Sequence, residues 1–223
     1  MRLRIDYEKG SEIKFLSQLD TVRVWERMLR RSKLPVALSQ GFNPHLKLSL
    51  GTVLPVGVWG RHEYLDVELS GSVPVEKALE CLRKAAPPGI RIHSGREIFQ
   101  HAAALMAAVN AASYRVRLEA IDEAVLDCVK QVLAADELMV ENLRKREVIN
   151  IRPRIHAIRM VQEPGFAGLE VWGAGGGDGP LRVQDLLLVL DRNGLSGASI
   201  QEVWREGNYV FKDGVYLDML AGV

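Results

Sequence analysis

The feature that most constrains the fold is an order of short strands and helices that occurs twice along the chain. Residues 2–7 alternate with Leu3, Ile5 and Tyr7 on one side, the period-two pattern of a half-buried strand. A helix is predicted from Ser17 to about Arg31, with Ser17 and Asp20 as a capping box. Strands at 46–50 and 63–69, a helix after Pro74 and a strand at 90–98 follow.

The same order recurs in the second half of the chain. It is read as a strand at 114–118, a helix at 122–133, strands at 151–161 and 168–172, an apolar helix at 183–190 and a strand at 200–211. Two βαββαβ units predict an α+β fold of two tandem ferredoxin-like halves, with antiparallel sheets and helices on one face. The repeat is one of element order, without residue-level identity.

An Ala-rich stretch, HAAALMAAVNAA at 101–112, separates the halves and is predicted to be a helical connector. The expected domains are therefore 1–99 and 113–223, joined by a connector at 100–112. A chain of 223 residues is long enough for two small domains.

Charge and cysteine content narrow the class of protein. Residues 1–99 hold 16 Lys and Arg against 11 Asp and Glu, whereas residues 100–223 hold 13 against 17. This uneven charge predicts a face for an anionic partner. Two cysteines are too few for a disulfide framework or a cysteine metal site, so a reducing cytoplasm is expected. Without a signal core or a long apolar run, no membrane association is expected.

Four arginines on the first predicted helix form the main candidate binding surface. Arg23, Arg27, Arg30 and Arg31 share roughly one helix face. Because a guanidinium offers two parallel donors to phosphate oxygens, this face suits a phosphate-bearing ligand. The structural alternative is a solvated face with local ion pairs, such as Glu26 with Arg30.

A second basic cluster lies between residues 144 and 159. Its members are Arg144, Lys145, Arg146, Arg152, Arg154 and Arg159. Arg152 and Arg154 are predicted to share one face of an extended segment. A groove lined by both clusters would suit a nucleic-acid backbone. Aromatic residues make up only 6% of the chain, which argues against a base-stacking platform.

A turn cluster follows the first helix, within SQGFNPHLKLSLGTVLPVGV at 39–58. Gln40, Asn43, His45 and Lys47 can donate or accept hydrogen bonds there and are predicted ligand contacts. His45 is the one candidate catalytic residue, although no partner for a general base is evident. Stabilisation of the turn itself is the alternative.

A Gly-rich loop at 173–179 precedes the predicted helix at 183–190. The backbone N–H groups of Gly175, Gly176 and Gly177 are candidates for binding an anion near a helix N-terminus, and a plain flexible turn is the alternative. The five histidines show no metal-ligand spacing in the sequence. No metal and no cofactor are therefore expected.

The run FLSQLDTVRVWERMLRRSKLPVALSQGFNPHLKLSLGTVLPVGV resembles the signature of a bacterial family of radical-SAM-linked proteins of unknown function. The stretch EYLDVEL at 63–69 and the run Ile151, Arg152, Pro153 are similar to that family too. Leu46 stands where the family has a proline, and the sequence Gly179, Pro180, Leu181, Arg182 departs from the family's loop. The layout is also similar to the repeat-associated RNA-processing proteins of CRISPR systems.

The resemblance implies an accessory role. The cluster motif Cys-x3-Cys-x2-Cys of radical-SAM enzymes does not occur in these 223 residues. We expect a non-catalytic RNA-binding or substrate-presenting protein, with RNA (such as tRNA or rRNA) and a radical-SAM protein as partners. One alternative is a metal-independent endoribonuclease of the CRISPR-processing type that uses His45. Another is a protein–protein adaptor that docks on the radical-SAM protein through the apolar loop at 53–58.

Overall fold

The computed structural model describes residues 1–142, 146–177 and 179–221. The fold is mixed α+β, with mostly antiparallel strands and five α-helices in the described part. The chain divides into two compact units. The first comprises Met1–Val109 and Gly207–Val223, and the second comprises Asn110–Glu206.

The first unit begins with an antiparallel sheet covered by helices on one face. Its elements are β1 (Arg2–Lys9), α1 (Gln18–Ser32), β2 (Leu48–Leu50), β3 (Trp59–Glu68), α2 (Val75–Ala85), β4 (Ile90–Ile98) and α3 (Leu105–Ala108). The strand order is β4-β1-β3, and β2 also pairs with β3. Leu3, Ile5 and Leu65 pack with Trp25 and Leu79 in one core. The alternate positions of β1 therefore carry polar side chains to the opposite face.

The first helix forms where the sequence places it. The Ser17 hydroxyl accepts a hydrogen bond from the Asp20 N–H at 3.2 Å and donates to the Asp20 carboxylate at 2.6 Å. The predicted cap is thus confirmed. The helix ends at Lys33, whose left-handed φ of 58° breaks the hydrogen-bond ladder. Trp25 is fully buried and meets Tyr7 edge to face.

The second unit has the same strand order as the first. Its elements are β5 (Ala111–Leu118), α4 (Glu123–Ala134), β6 (Met139–Asn142), β7 (Glu147–Asn150), β8 (Ile155–Glu163), β9 (Phe166–Ala174), α5 (Val183–Arg192) and the first part of β10 (Ile200–Lys212). The residues of β10 from Gly207 onward are counted with the first unit. The strands run in the order β10-β5-β9-β8, and β6 and β7 form a separate hairpin. Val116, Val132, Leu169, Val171 and Leu186 are fully buried in its core.

The Ala-rich connector is helical only over Leu105–Ala108, so the predicted helix at 101–112 is mostly wrong. Ala111 and Ala112 already belong to β5 and pair with Ala174 and Gly173 of β9. The end of the Ala-rich stretch is therefore strand rather than helix.

The end of the chain lies with the first unit rather than with the second, where the expected domain 113–223 had put it. A last strand, β11 (Val215–Asp218), pairs with β10. Met219 is buried with Tyr64, Leu105 and Val109. The Tyr64 hydroxyl donates to the Asp218 carboxylate at 2.8 Å. In the described part of the chain, no helix combines the length and apolar character needed to cross a membrane.

Candidate functional site

The basic face of α1 carries arginines with different surroundings. Arg23 pairs with Asp20 at 3.1 Å. Arg27 and Arg30 are exposed, and neither has an ion-pair partner among the described residues. The pair that the spacing suggested, Glu26 with Arg30, is not formed between these described side chains. Two guanidinium groups are therefore directly available to a ligand in solvent.

A surface pocket lies where the C-terminal ends of α1 and α2 meet. Its lining includes Arg30, Arg31, Lys33, Cys81 and Lys84. The Arg31 guanidinium donates to the Ala85 carbonyl of α2 at 2.7 Å, which ties the two helix ends together. Positively charged side chains near a helix C-terminus stabilise the helix, because they offset the negative end of its dipole. Part of the positive charge around the pocket therefore stabilises α1 and α2. The remainder faces the pocket.

Lys84 of this pocket has an anionic neighbour. Its ammonium pairs with Glu80 one turn earlier on α2. The hydrogen bond to the Glu80 carboxylate, with its negative charge, raises the pKa of Lys84. The charge of Lys84 is therefore largely balanced by Glu80, in contrast to those of Arg27 and Arg30.

The turn that follows α1 is an exposed hairpin. Leu38 bridges Leu46, the Ser39 N–H donates to the His45 carbonyl at 2.8 Å, and the His45 N–H donates to the Ser39 hydroxyl at 2.9 Å. Gln40 and Asn43 lie exposed at its tip. These contacts stabilise the turn through its backbone and leave the polar tip side chains facing solvent.

Three further side chains of this hairpin differ in their surroundings. Phe42 is fully exposed, although an aromatic ring in water is unfavourable. Lys47 pairs with Glu68 at 2.9 Å. The His45 imidazole has no side-chain partner within the described ranges, so the orienting group that a general base requires is not supplied by them.

Arg152 and Arg154 do not lie on an extended segment, which corrects the prediction. Residues 152–154 form a 3₁₀ turn that contains Pro153. The Arg152 guanidinium donates to the carbonyls of Leu133, Ala135 and Ile155 at 3.0–3.1 Å, which closes the C-terminal end of α4. Arg154 donates to the Pro180 carbonyl at 3.3 Å. Arg144 and Lys145, also assigned to this cluster, lie outside the described residues.

The Gly-rich loop is shaped by close backbone contacts. The Gly175 N–H donates to the Asn110 carbonyl at 2.8 Å, and a Cβ on Gly175 would lie 2.8 Å from the Ala111 backbone. Gly176 has a φ of 75°, a value that favours glycine. Gly177 is exposed with open space around it. At two of the three candidate positions, Gly175 and Gly176, the local backbone structure is thus sufficient to explain why a glycine is present.

Helix α5 begins after this loop, and an acidic residue lies in its first turn. Burial raises the pKa of the Asp185 carboxyl, and the positive charges of Arg182 and Arg154 partly oppose that rise. One oxygen of Asp185 is buried without a hydrogen-bond partner among the described atoms. An anion bound at this helix N-terminus would be repelled by the carboxylate, which weakens the predicted anion site.

A group of side chains that the sequence reasoning missed lies in the first unit. Asp6 of β1, His62 of β3 and His93 of β4 each offer a metal-ligand atom within 4.8 Å of the others. The His62 Nδ1 atom is 3.0 and 3.1 Å from the two carboxylate oxygens of Asp6. The rings of His62 and His93 are 5.1 Å apart between centroids.

Separation along the sequence explains why this group was missed. Each of its members lies on a different strand, and only the order β4-β1-β3 makes them neighbours. The alternation of β1 did place Asp6 on its polar side. The available signal was a carboxylate on an apolar strand, together with histidines at polar positions of two further strands.

Comparisons with known proteins give a match to a family model and matches to solved structures. The model of a family described as uncharacterized protein conserved in bacteria, DUF2344, matches residues 2–183. No curated protein matches the sequence. A chain in the crystal structure of a Cbf5-Nop10-Gar1 complex is similar, with 16% identity, a TM-score of 0.48, and coverage of 95% of this chain and 50% of that one. The present chain thus spans about half the length of that chain.

Proposed function

The chain belongs to DUF2344, a family of uncharacterized proteins conserved in bacteria, and we propose that it is a non-catalytic RNA-binding or substrate-presenting partner of a radical-SAM enzyme. The radical-SAM part of the proposal is supported by the resemblance of residues 15–69 to radical-SAM-linked proteins. The RNA part is supported by the surface of the first unit.

One observation carries the proposal: Arg27 and Arg30 are exposed and without ion-pair partners among the described residues, beside a pocket with three further cations. Exposed guanidinium groups that no carboxylate neutralises raise the local positive potential. Each of them can bind a phosphate through two parallel hydrogen bonds. A polyanion with regularly spaced phosphates satisfies several of these groups at once.

The exposed hairpin supports RNA over a small anion. Gln40 and Asn43 can read the edges of unpaired bases, and the exposed Phe42 ring offers a surface on which one base can stack. A single aromatic residue suits one flipped or terminal base rather than a continuous platform. We therefore propose that RNA with single-stranded regions is the ligand.

We further propose that both halves are ferredoxin-like. The first half has the element order βαββαβ, and the second has the same order once the separate β6-β7 hairpin between α4 and β8 is set aside. The strand orders β4-β1-β3-β2 and β10-β5-β9-β8 are then equivalent. In each, the helices would cover one sheet face and leave the other for interactions. This assignment goes beyond the α+β class and is tested by an experimental structure of the protein.

The decisive experiment compares RNA binding by the wild-type protein with binding by an Arg27→Ala/Arg30→Ala variant over a range of salt concentrations. Affinity should fall steeply with salt, and the variant should bind more weakly with a salt slope smaller by about 2, since each lost phosphate contact removes about 1. A Lys130→Ala/Lys212→Ala variant removes two exposed charges elsewhere and should bind like the wild type. Binding that is absent at low salt, or equally weakened in both variants, would overturn the proposal.

A specific observation favours the adaptor as a second candidate. Val53 and Val56 are each 58% exposed, whereas Leu54 and Val58 in the same loop are buried. The loop thus presents the side chains of Val53 and Val56 to solvent, while the buried Leu54 and Val58 side chains hold it against the protein. If the adaptor hypothesis is correct, co-purification with the radical-SAM protein will survive high salt and nuclease and will be lost in a Val53→Ser/Val56→Ser variant.

The endoribonuclease alternative has its own readout. It requires RNA cleavage that persists in chelator and disappears in a His45→Ala variant. The exposed and unassisted position of His45 gives no support to this reading. RNA that is bound but recovered intact would favour the non-catalytic function.

A further inference from the structure

We propose that Asp6, His62 and His93 bind a divalent transition-metal ion on the polar face of the first unit's sheet. The proposal is independent of RNA binding, because the three residues lie on strands and none belongs to the basic face of α1. Either proposal can therefore fail without the other.

The donor set determines the class of ion. Two imidazoles and one carboxylate suit Zn²⁺, Fe²⁺, Mn²⁺ or Co²⁺, whereas Mg²⁺ and Ca²⁺ prefer oxygen ligands throughout. Catalytic zinc sites commonly use three protein ligands and leave the fourth position to water. Sites with two histidines and one carboxylate also hold Fe²⁺ with open positions.

The distances are close to those of an assembled site. Ligand atoms at about 2.1 Å from a zinc ion can be no more than about 4.2 Å apart. The three candidate atoms lie within 4.8 Å of one another. His93 is exposed, so a small rotation of its side chain can close the remaining gap. Asp6 is buried, so its carboxylate is held in a fixed position between the two histidines.

Two β-bulges support the site independently of the distances. Asp6 pairs with Ser94 and Tyr7 pairs with Ile92, so His93 is an extra residue on β4. On the other side of β1, Tyr7 pairs with Glu63 and Lys9 with Gly60, so Arg61 and His62 together face the single residue Glu8. Bulges redirect side chains next to functional sites. Here both bulges contain a histidine of the group.

Hydrogen bonds beyond the three ligands fit the same role. The Nε2 atom of His93 is 3.0 Å from the Arg61 carbonyl, where Nε2–H donates and leaves Nδ1 with its lone pair. Metal-binding histidines usually donate their second ring nitrogen to such a group. The bond thus selects the tautomer in which His93 can be a ligand.

A simple ion pair between Asp6 and His62 is the competing explanation. It accounts for two of the residues, and the His62 side chain is 39% exposed, so such a pair adds little stability. It does not account for His93 or for the second bulge. The metal site explains all three residues and both irregularities with one function.

The test uses the full chain, stripped of metal with chelator and then titrated with Zn²⁺, Mn²⁺, Co²⁺ and (without oxygen) Fe²⁺. Equilibrium dialysis should show one ion per chain, and thermal unfolding should shift upward as the ion is added. His62→Ala and His93→Ala should each weaken binding by at least about 100-fold, at the upper end of what the loss of an outer-shell partner costs. His45→Ala and His101→Ala remove exposed histidines elsewhere and should bind like the wild type.

Two outcomes would overturn the proposal. One is the absence of stoichiometric binding for every ion tested. The other is binding that is unchanged in both ligand variants, or equally weakened in the two control variants. His93 is exposed, so His93→Ala should fold even if His62→Ala does not, and circular dichroism of each variant verifies this. Visible absorption of the Co²⁺ form should change in His93→Ala, a signal to which RNA binding does not contribute.

Discussion

Arg4 and Asp66 form a buried bidentate ion pair between β1 and β3. The Arg4 Nε atom is 2.8 Å from one carboxylate oxygen and its Nη2 atom is 3.0 Å from the other, with both side chains less than 5% exposed. Arg2 adds a bond to the same carboxylate at 2.7 Å. Arg4 also donates to the carbonyls of Ala103 and Met219. One carboxylate therefore organises two arginines, and one of these holds two later segments of the chain.

Removal of the Asp66 carboxylate should destabilise the fold strongly. Asp66→Ala leaves two guanidinium groups buried or half-buried without their partner, and we expect a loss of about 3–5 kcal/mol in the free energy of unfolding. Urea denaturation of the wild-type and variant proteins measures this loss. The control is Glu68→Ala on the same strand. Glu68 pairs with Lys47 and is more exposed than Asp66, so its loss should lower the free energy of unfolding by about 0–1 kcal/mol. Comparable losses in the two variants would contradict the role assigned to Asp66.

Arg152 should stabilise the fold rather than bind phosphate. Arg152→Ala removes a guanidinium that satisfies three backbone carbonyls, and we expect a loss of about 3 kcal/mol, since a single hydrogen bond to a charged group contributes about 1.5–3 kcal/mol. Arg159→Ala, at an exposed position of β8, should be nearly neutral. RNA affinity of the folded Arg152→Ala protein should match the wild type. A selective loss of affinity with full stability would restore Arg152 as a phosphate contact.

The glycines of the loop before α5 should differ in tolerance. Gly175→Ala places a Cβ 2.8 Å from the Ala111 backbone, so either the loop or β5 must shift, at a cost of about 1–3 kcal/mol. Gly177→Ala meets open space and should change stability by less than about 0.5 kcal/mol. Thermal unfolding of the two variants measures the contrast. Equal tolerance at both positions would show that the contact at Gly175 is not restrictive.

The two cysteines should react at different rates. Burial raises the pKa of the Cys128 thiol, so less thiolate is present at neutral pH and the sulfur is also shielded. Cys81 is partly exposed and lines the basic pocket. Iodoacetamide followed by mass spectrometry should therefore modify Cys81 and spare Cys128 until urea unfolds the chain.

Bound RNA should slow the modification of Cys81 if it occupies the pocket at the ends of α1 and α2. Modification of Cys128 at the same rate in the folded protein would contradict its burial. Modification of Cys81 at the same rate with and without bound RNA would show that the RNA binds outside this pocket.

Much of the fold follows from local patterns in the sequence. Alternation in β1 and the Ser17 cap of α1 are short-range signals, and the structure has the strand and the helix where they predict them. The Ala-rich stretch misled because alanine favours helices but also fits where strands approach closely. Ala111 and Ala112 lie in a strand, where their partners on β9 are the small residues Ala174 and Gly173. The placement of Met219 depends on long-range contacts, such as the one with Arg4 at a separation of 215 residues, for which no local signal exists.

The candidate sites were predictable to different degrees. Helical spacing placed Arg27 and Arg30 on the exposed surface of α1, because that spacing is a property of the helix alone. The role of Arg152 was not accessible, since its partners are backbone carbonyls that carry no sequence signature. Asp6, His62 and His93 meet only through strand order and two bulges, and a one-residue difference in register would have separated them.

The grouping of Gly207–Val223 with the first unit has a consequence for biosynthesis. A ribosome completes Met1–Val109 long before it reaches β11, and at about 5–20 residues per second the intervening residues take several seconds to make. During that interval the Arg4 guanidinium lacks the Met219 carbonyl and Tyr64 lacks Asp218. We therefore expect the nascent first unit to expose Tyr64, Leu105 and Val109 until Met219, which packs against them, is translated. Premature termination just before β11 should accordingly yield chains that proteases and chaperones recognise, even though both β1 and β3 of the first unit have been synthesised.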